Sequence, residues 1–305
     1  MQIKIGEFLD GGNLDWGLFT EGNRKLVLVG DDEKTKRIFL NIKKQIIALE
    51  GVVFFDIGGY KVDKLEDEGT LSIITNFEKH PVDSIPNTML SKQRKDFVDM
   101  YVRMLTEYIG LDRKDLKVSY RPTLEGPLYG YIRASDNLDG DIKEKFDQQL
   151  NQLDNVIWEN EGDLFIHRVG EEEEGGGLTK LIEFLKGVWS YWVFLMDAPD
   201  IADVPKVLHI EVPDTSTYEE VHLKYVERLI QILEDITSIS NTTLVVTTDR
   251  VSPIINSSIR YKIIGKNSGK DFDFSDTPIG FDDNGDNFAI IDDAESNKII
   301  GRITD

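Results

Sequence analysis

The chain has 305 residues, with 35 Lys and Arg against 56 Asp and Glu, a formal net charge of -21 and no cysteine. That length permits one large core or a main domain with a smaller appendage, and the apolar and charged fractions (40% and 30%) are those of an ordinary globular protein. The composition excludes disulfides and thiolate metal sites, and the charge excludes nonspecific adhesion to DNA or anionic membrane, which needs clustered Lys and Arg. About four-fifths of the negative excess falls after residue 150, so the first half is near balance and can still carry a local basic surface. Met1-Gln-Ile-Lys-Ile-Gly6 lacks the basic region and apolar stretch of a signal peptide. The longest apolar run, Val188 to Met196, is too short to span a bilayer, so a soluble, cytoplasmic protein is expected.

Lys25 to Val29 is a short apolar run ending at Gly30, as in a buried parallel strand. After a polar turn over Asp31 to Lys34, Ile38, Phe39, Ile42, Ile46 and Leu49 fall at helical spacing. Val52 to Phe55 predicts a second buried strand, ending at Asp56 and the turn residues Gly58 and Gly59. Thr70 to Thr75 predicts another strand, followed by a helix with Phe97, Tyr101, Leu105 and Ile109 on one face and Gly110 as its stop. A shorter amphipathic helix is expected over residues 141–153. Glu171 to Gly177 combines like charge with glycine and predicts a mobile surface loop. Trp189, Tyr191, Trp192 and Phe194 fit a buried segment better than an interaction patch.

Val207 to Ile210 predicts a third buried strand. Ser216 with Glu219, or Thr217 with Glu220, can cap the next helix, whose apolar face is Val221, Tyr225, Leu229, Ile232 and Ile236. Thr243 to Thr248 and Tyr261 to Ile264 follow as strands, and Phe288 to Ile291 with Lys298 to Ile303 as a closing hairpin. Strands alternating with helices predict an α/β fold, a mostly parallel sheet covered on both faces, whose ligands bind beyond the carboxyl ends of the strands. That directs attention to the turns after Val29, Phe55 and Ile210.

The turn after Val29 holds Gly30-Asp-Asp-Glu-Lys-Thr-Lys-Arg37 where a phosphate-binding loop would read G-x-x-x-x-G-K-[ST]. Gly30 and Lys36 match. Thr35 replaces the second glycine, and its β-carbon hinders close approach of backbone amides to phosphate. Arg37 replaces the hydroxyl and offers magnesium no oxygen. Asp31, Asp32 and Glu33 put negative charge where a triphosphate would lie, although Lys36 and the helix N-terminus still attract anions. Taken alone, these residues fit a tight β-α turn with no ligand better than a phosphate site.

Other chemistry is poorly served. The four histidines, His80, His167, His209 and His222, have no second ligand at a metal-site spacing. His209, in a buried strand, is expected to be a hydrogen-bonded core residue. Asp282 to Asp286 is faintly calcium-like but lacks the spacing and terminal glutamate of an EF loop. There is no G-x-S-x-G elbow.

Over almost its whole length the chain resembles the HerA/FtsK group of P-loop motor ATPases. Gly30 to Arg37 stands at the first nucleotide motif, and Phe54-Phe-Asp-Ile-Gly-Gly-Tyr60 at the Asp-bearing turn after the second strand. His80-Pro-Val-Asp83 and the helix to Leu111 are similar to the family's Asn-Pro-(apolar)-Asp segment and long helix. Thr242 to Ile254 resembles the strand carrying Thr-Gln-Arg-Pro, and Asn256 to Ile264 the segment after it. The resemblance implies a RecA-like P-loop NTPase core as one degenerate domain over residues 1–305, with an acidic segment and hairpin over residues 271–305 packed on it.

The departures shape the functional expectation. Where the family has four apolar residues and Asp-Glu-Ala, this chain has Val207-Leu-His-Ile-Glu-Val-Pro213. Glu211 stands at the metal-associated Asp and Val212 at the water-activating Glu, and valine cannot take a proton. Asp249 replaces the family's glutamine beside Arg250. The resemblance therefore implies a pseudo-ATPase, not an enzyme, that serves as a structural or regulatory subunit of a DNA-processing, translocation or defence assembly. Its partners would be its own copies or an active HerA/FtsK-type ATPase, with DNA touched only through the assembly and no membrane contact. No cofactor is expected, ATP and magnesium included. Any residual nucleotide site would use Gly30, Thr35, Lys36, Arg37, Asp56 and Glu211, and Arg250 or Arg260 are candidates to act on a neighbour's nucleotide. The alternatives are a nucleotide or anion sensor without hydrolysis, and an NTPase with an unusual loop.

Overall fold

The computed structural model describes residues 1–8, 12–17, 25–30, 33–58, 69–74, 100, 103–104, 107, 140–141, 144, 155–169, 176–197, 203–212, 220–249, 261–264, 287–292 and 297–302. In chain order its elements begin with β1 (Gln2–Phe8), β2 (Asn13–Gly17), β3 (Lys25–Val29), α1 (Glu33–Ile47), β4 (Val53–Gly58) and β5 (Gly69–Ile74). There follow β6 (Asn155–Glu161), β7 (Leu164–Arg168), α2 (Gly176–Asp197), β8 (Lys206–Glu211) and α3 (Glu220–Ile239). The last are β9 (Thr242–Thr248), β10 (Tyr261–Ile264), β11 (Asn287–Asp292) and β12 (Asn297–Arg302). Contacts group the chain into two compact units, one of Met1–Glu68, Asn160–Arg168 and Asp200–Asp305, the other of Gly69–Glu159 and Val169–Pro199.

The first unit is built on β3, β4, β8 and β9, apolar runs that demand cover on both faces. Its strand order is β2-β1-β12-β11-β10-β3-β9-β8-β4-β7. From β10 to β7 every pairing is parallel. On the other side of β10 the sheet continues antiparallel through β11, β12, β1 and β2. The expected closing hairpin is β11–β12. The N-terminal hairpin β1–β2 was not expected, because in Gln2 to Gly17 the apolar residues are scattered among charges and glycines. It is kept in the sheet by Ile3, Ile5 and Trp16, which join the core.

Helix α1 packs on one face of this sheet through Ile38, Phe39, Ile42 and Ile46, against Leu26, Leu28, Phe54, Val207 and Val245 as well as Ile3 and Ile5. Each such side chain contributes roughly 1.5–3 kcal/mol by leaving water. The helical spacing predicted this face; Leu49 lies just beyond the helix and packs at its margin. The Gln45 amide also ties α1 to β1. It accepts from the Lys4 backbone N–H (2.9 Å) and donates to the Lys4 carbonyl (2.7 Å), beside the irregularity between Lys4 and Gly6 that leaves backbone groups in need of partners.

Helix α3 packs on β9. Its buried stripe includes Val226, Leu229, Ile230, Ile232 and Leu233, with Thr237 bonding back to the Leu233 carbonyl. The predicted face holds at Leu229 and Ile232, while Tyr225 is only half-buried and the buried stripe takes in Val226, Ile230 and Leu233. The side chains of Val221 and Ile236, and the proposed cap at Ser216 or Thr217, lie outside the described residues.

In the second unit, α2 packs with β5 and is buried around its circumference from Leu181 to Val193, apart from half-buried Glu183. Trp189, Tyr191 and Trp192 are core residues there, and Phe194 is half-buried. The polar groups that this burial strands are satisfied locally. Trp158 Nε1 donates to Ser190 Oγ (2.9 Å), which donates to the Gly187 carbonyl, and Lys186 pairs with Glu183. The helix starts at Gly176, so Gly176 and Gly177, expected in a loop, are in its first turn. The face of Phe97, Tyr101, Leu105 and Ile109, most of residues 141–153, and Asp282 to Asp286 lie outside the described residues; Met100, Arg103, Met104 and Glu107 are helical.

Strand β4 runs to Gly58, so Asp56 lies inside the strand and not on the turn after it, correcting the sequence reading. Gly58 has φ +116°, and a β-carbon there would stand 2.6 Å from Glu211 Cβ on the neighbouring strand. Gly58→Ala is expected to destabilise the protein by roughly 1–3 kcal/mol through strained backbone and this clash, measured as a lowered urea midpoint with unchanged slope.

Candidate functional site

In the parallel part of the sheet, the chain leaves β3 for β4 in one direction and leaves β9 for β10 in the other. Connections that diverge from adjacent strands open the crevice in which such sheets bind ligands. It lies at the carboxyl ends of β3 and β9, where the Gly30 N–H donates to the Thr248 carbonyl (2.9 Å). Next to it, the Val212 N–H donates to the Thr247 carbonyl (2.8 Å), and Glu211 faces Gly58. Four of the sequence-predicted residues thus converge here or just below: Gly30, Glu211, Val212 and, within the sheet, Asp56.

Helix α1 begins at Glu33, leaving only residues 31–32 between Gly30 and the helix. Thr35 and Lys36 are therefore already wound into α1; their side chains lie outside the described residues. Arg37 is exposed. Glu33 is in the first turn of α1, where the positive end of a helix favours an acid. Glu211 is half-buried, while Val212 is 4% exposed. Arg250 and Arg260 lie outside the described residues, as does His80-Pro-Val-Asp83.

Beneath the crevice runs a buried polar chain that sequence reasoning did not assemble. Asp56 and His209 are both 0% exposed. Alternation puts Phe54 and Asp56 of β4, Val207 and His209 of β8, and Val245 and Thr247 of β9 on the face covered by α1. Asp56 and His209 are register partners. Lys43 of α1 pairs with Asp56 Oδ2; Asp56 Oδ1 meets His209 Nδ1 at 2.7 Å; His209 Nε2 meets Thr247 Oγ1 at 2.8 Å. Phe39, one turn before Lys43, stacks on the imidazole with centroids 3.8 Å apart, and the Lys43 ammonium lies 5.9 and 5.7 Å from the centroids of Phe39 and Phe54.

Burial alone would raise the Asp56 carboxyl, but His209 and Lys43 more than offset it and bring it from 3.8 down to about 2. Burial pushes the His209 imidazole below its usual 6.5, against the pull of Asp56. The ionised carboxylate only accepts, so neutral His209 carries its proton on Nδ1 and takes one at Nε2 from Thr247. Lys43 and Asp56 cancel, leaving the cluster without net charge. Both Asp56 oxygens and both ring nitrogens are engaged.

Hydroxyl, imidazole and carboxylate here stand in the order that activates a nucleophile in hydrolases. Thr247 is 3% exposed, Phe39 covers the ring and Lys43 shares the carboxylate, so no substrate carbonyl reaches the hydroxyl. The signal for this cluster in sequence was weak but present: a lysine in the apolar stripe of α1, and one polar residue in each of two apolar strands. Burial also lowers Lys206 to about 8, against the pull of Asp203, but this amine is at the amino end of β8, away from the crevice. Among the described residues no group of His, Asp and Glu is placed to hold a metal, and no helix is long and apolar enough to cross a membrane.

Fold and crevice define an α/β protein with a mostly parallel core, a crevice at the carboxyl ends of its strands and a C-terminal β-hairpin. Among solved structures the chain is similar to VirB4 of Thermoanaerobacter pseudethanolicus, with a TM-score of 0.56 and 12% identity over 99% of this chain and 96% of that one. At that identity the likeness is one of fold. No protein-family model and no curated protein sequence matches the chain.

The polar chain makes two measurable demands on stability. Lys43→Met strands the Asp56 charge in the core and is expected to cost about 3–5 kcal/mol in urea unfolding. For pH, an unfolded His209 binds its proton near 6.5 and the folded one only at lower pH. Stability is therefore full above 6.5 and falls as pH drops below it, by at most about 1.4 kcal/mol per pH unit. Asp56 adds a second loss as pH falls from 3.8 toward 2. Urea midpoints measured from pH 7.5 to 5 should show this decline in the native protein and a shallower one in His209→Gln.

Proposed function

We propose that the chain is a catalytically inactive member of the HerA/FtsK-type motors, a pseudo-ATPase whose scaffold serves as a structural or regulatory subunit of a DNA-processing, translocation or defence assembly. The observation that carries this reading is the start of α1 at Glu33. A phosphate-wrapping loop needs several consecutive backbone N–H groups turned toward the anion, and here Glu33 to Thr35 are already helical. Three further features support it. Arg37 has no oxygen for magnesium, Val212 is a buried valine at the position of the catalytic base, and both Asp56 oxygens are already engaged by Lys43 and His209.

Partners on this reading are copies of the chain or an active ATPase of the same type, with DNA contacted through the assembly. Arg250 and Arg260 are candidates to act in trans on a neighbour's nucleotide. An anion sensor at Gly30 and the α1 N-terminus is the second reading, favoured by the free N–H groups that any helix start presents.

Titration calorimetry with ATP and magnesium, paired with a phosphate-release assay and co-sedimentation with a candidate active ATPase, separates the readings. The scaffold reading expects no phosphate release and stable association with itself or that ATPase. Saturable binding without release would select the sensor, and release abolished by Lys36→Ala would overturn both.

A further inference from the structure

In a working phosphate-loop site, the metal–nucleotide complex is what ties the start of the first helix to the strand carrying the acidic motif. In this chain a connection between the same two elements exists inside the core. Lys43 and Phe39 reach down from α1; Asp56, His209 and Thr247 rise from β4, β8 and β9. The chain of contacts crosses three adjacent strands, ends one residue before Thr248, whose carbonyl holds Gly30, and passes two residues before Glu211. All four polar side chains are buried, so water does not compete for these bonds.

We propose that Lys43, Asp56, His209 and Thr247 form a built-in clamp that holds α1 to β8 and β9 permanently, supplying from within the core the connection that a bound metal–nucleotide would otherwise make from above. The clamp rests on the scaffold reading. It implies a subunit that keeps one conformation whatever the nucleotide level around it. The four side chains are positioning residues: none is accessible to a ligand, and each acts by fixing the next.

Amide hydrogen exchange on the full-length protein tests the clamp, with and without millimolar ATP and magnesium. In the native protein, exchange in α1 is expected to be unchanged by ATP and magnesium. Lys43→Met should speed exchange in α1 on the order of tenfold relative to β3, through local release. Thr247→Val keeps side-chain volume and sits on β9, yet it should also speed exchange in α1, because His209 transmits the loss. The clamp is overturned if the Thr247→Val effect stays within β9, if Lys43→Met speeds α1 and β3 by the same factor, or if ATP slows α1 exchange in the native protein. Should Lys43→Met fail to fold, Thr247→Val decides alone. Phosphate release would sink the scaffold reading and leave these exchange patterns as they are, so the two failures are distinguishable.

Discussion

The ion pair between Lys43 and Asp56 is the constraint around which the first unit is arranged. Two charges out of water are tolerable only if each is matched and every remaining polar atom is bonded. Lys43 neutralises one carboxylate oxygen, the Nδ1 proton of His209 satisfies the other, and Thr247 completes the ring's second nitrogen. The aromatic faces of Phe39 and Phe54 close the cage around the ammonium and the imidazole. Such a cluster contributes little net stability compared with apolar packing of equal volume. What it adds is discrimination, since a shift of α1 by one turn leaves the Asp56 charge without Lys43, and a slip of β8 by one residue leaves an Asp56 oxygen without His209.

The crevice above inherits its shape from that arrangement. β4 and β8 approach so closely at their carboxyl ends that only glycine fits at position 58, and the strand ends at Gly30, Thr248 and Val212 are cross-bonded. The topology opens a crevice at the carboxyl ends of β3 and β9, the place where mostly parallel sheets bind their ligands. Burial and hydrogen bonding hold these strand ends in place from below, whatever the turns above them carry.

The parallel core was legible because its strands are unbroken apolar runs and α1 carries a clean helical stripe. Lys25 to Val29, Val207 to Ile210 and Thr243 to Thr248 were placed to within a residue or two. Asp56 was misread because an acid after apolar residues ordinarily marks a strand end. Only a partner distant in sequence, Lys43 or His209, allows it to continue a buried strand, and pattern reading along one segment carries no information about such partners. The hairpin β1–β2 was hidden for a related reason, since Ile3, Ile5 and Trp16 are held in the core with the help of Gln45 and β12, both distant in sequence.

The pairing of β1 with β12 also governs how the molecule comes to be made. β1 pairs locally with β2, but its other sheet neighbour, β12, lies across nearly the whole length of the chain, and the antiparallel half of the sheet cannot close until β10, β11 and β12 are available. During synthesis β1 is thus made long before its partner β12 and is among the last strands to be satisfied. In the meantime α1 can cover the core face of β1 at Ile3 and Ile5, while the edge that takes β12 stays open. Pairings so distant in sequence close slowly. Expression yield, more than final stability, is where substitutions in β1 or β12 would first be felt.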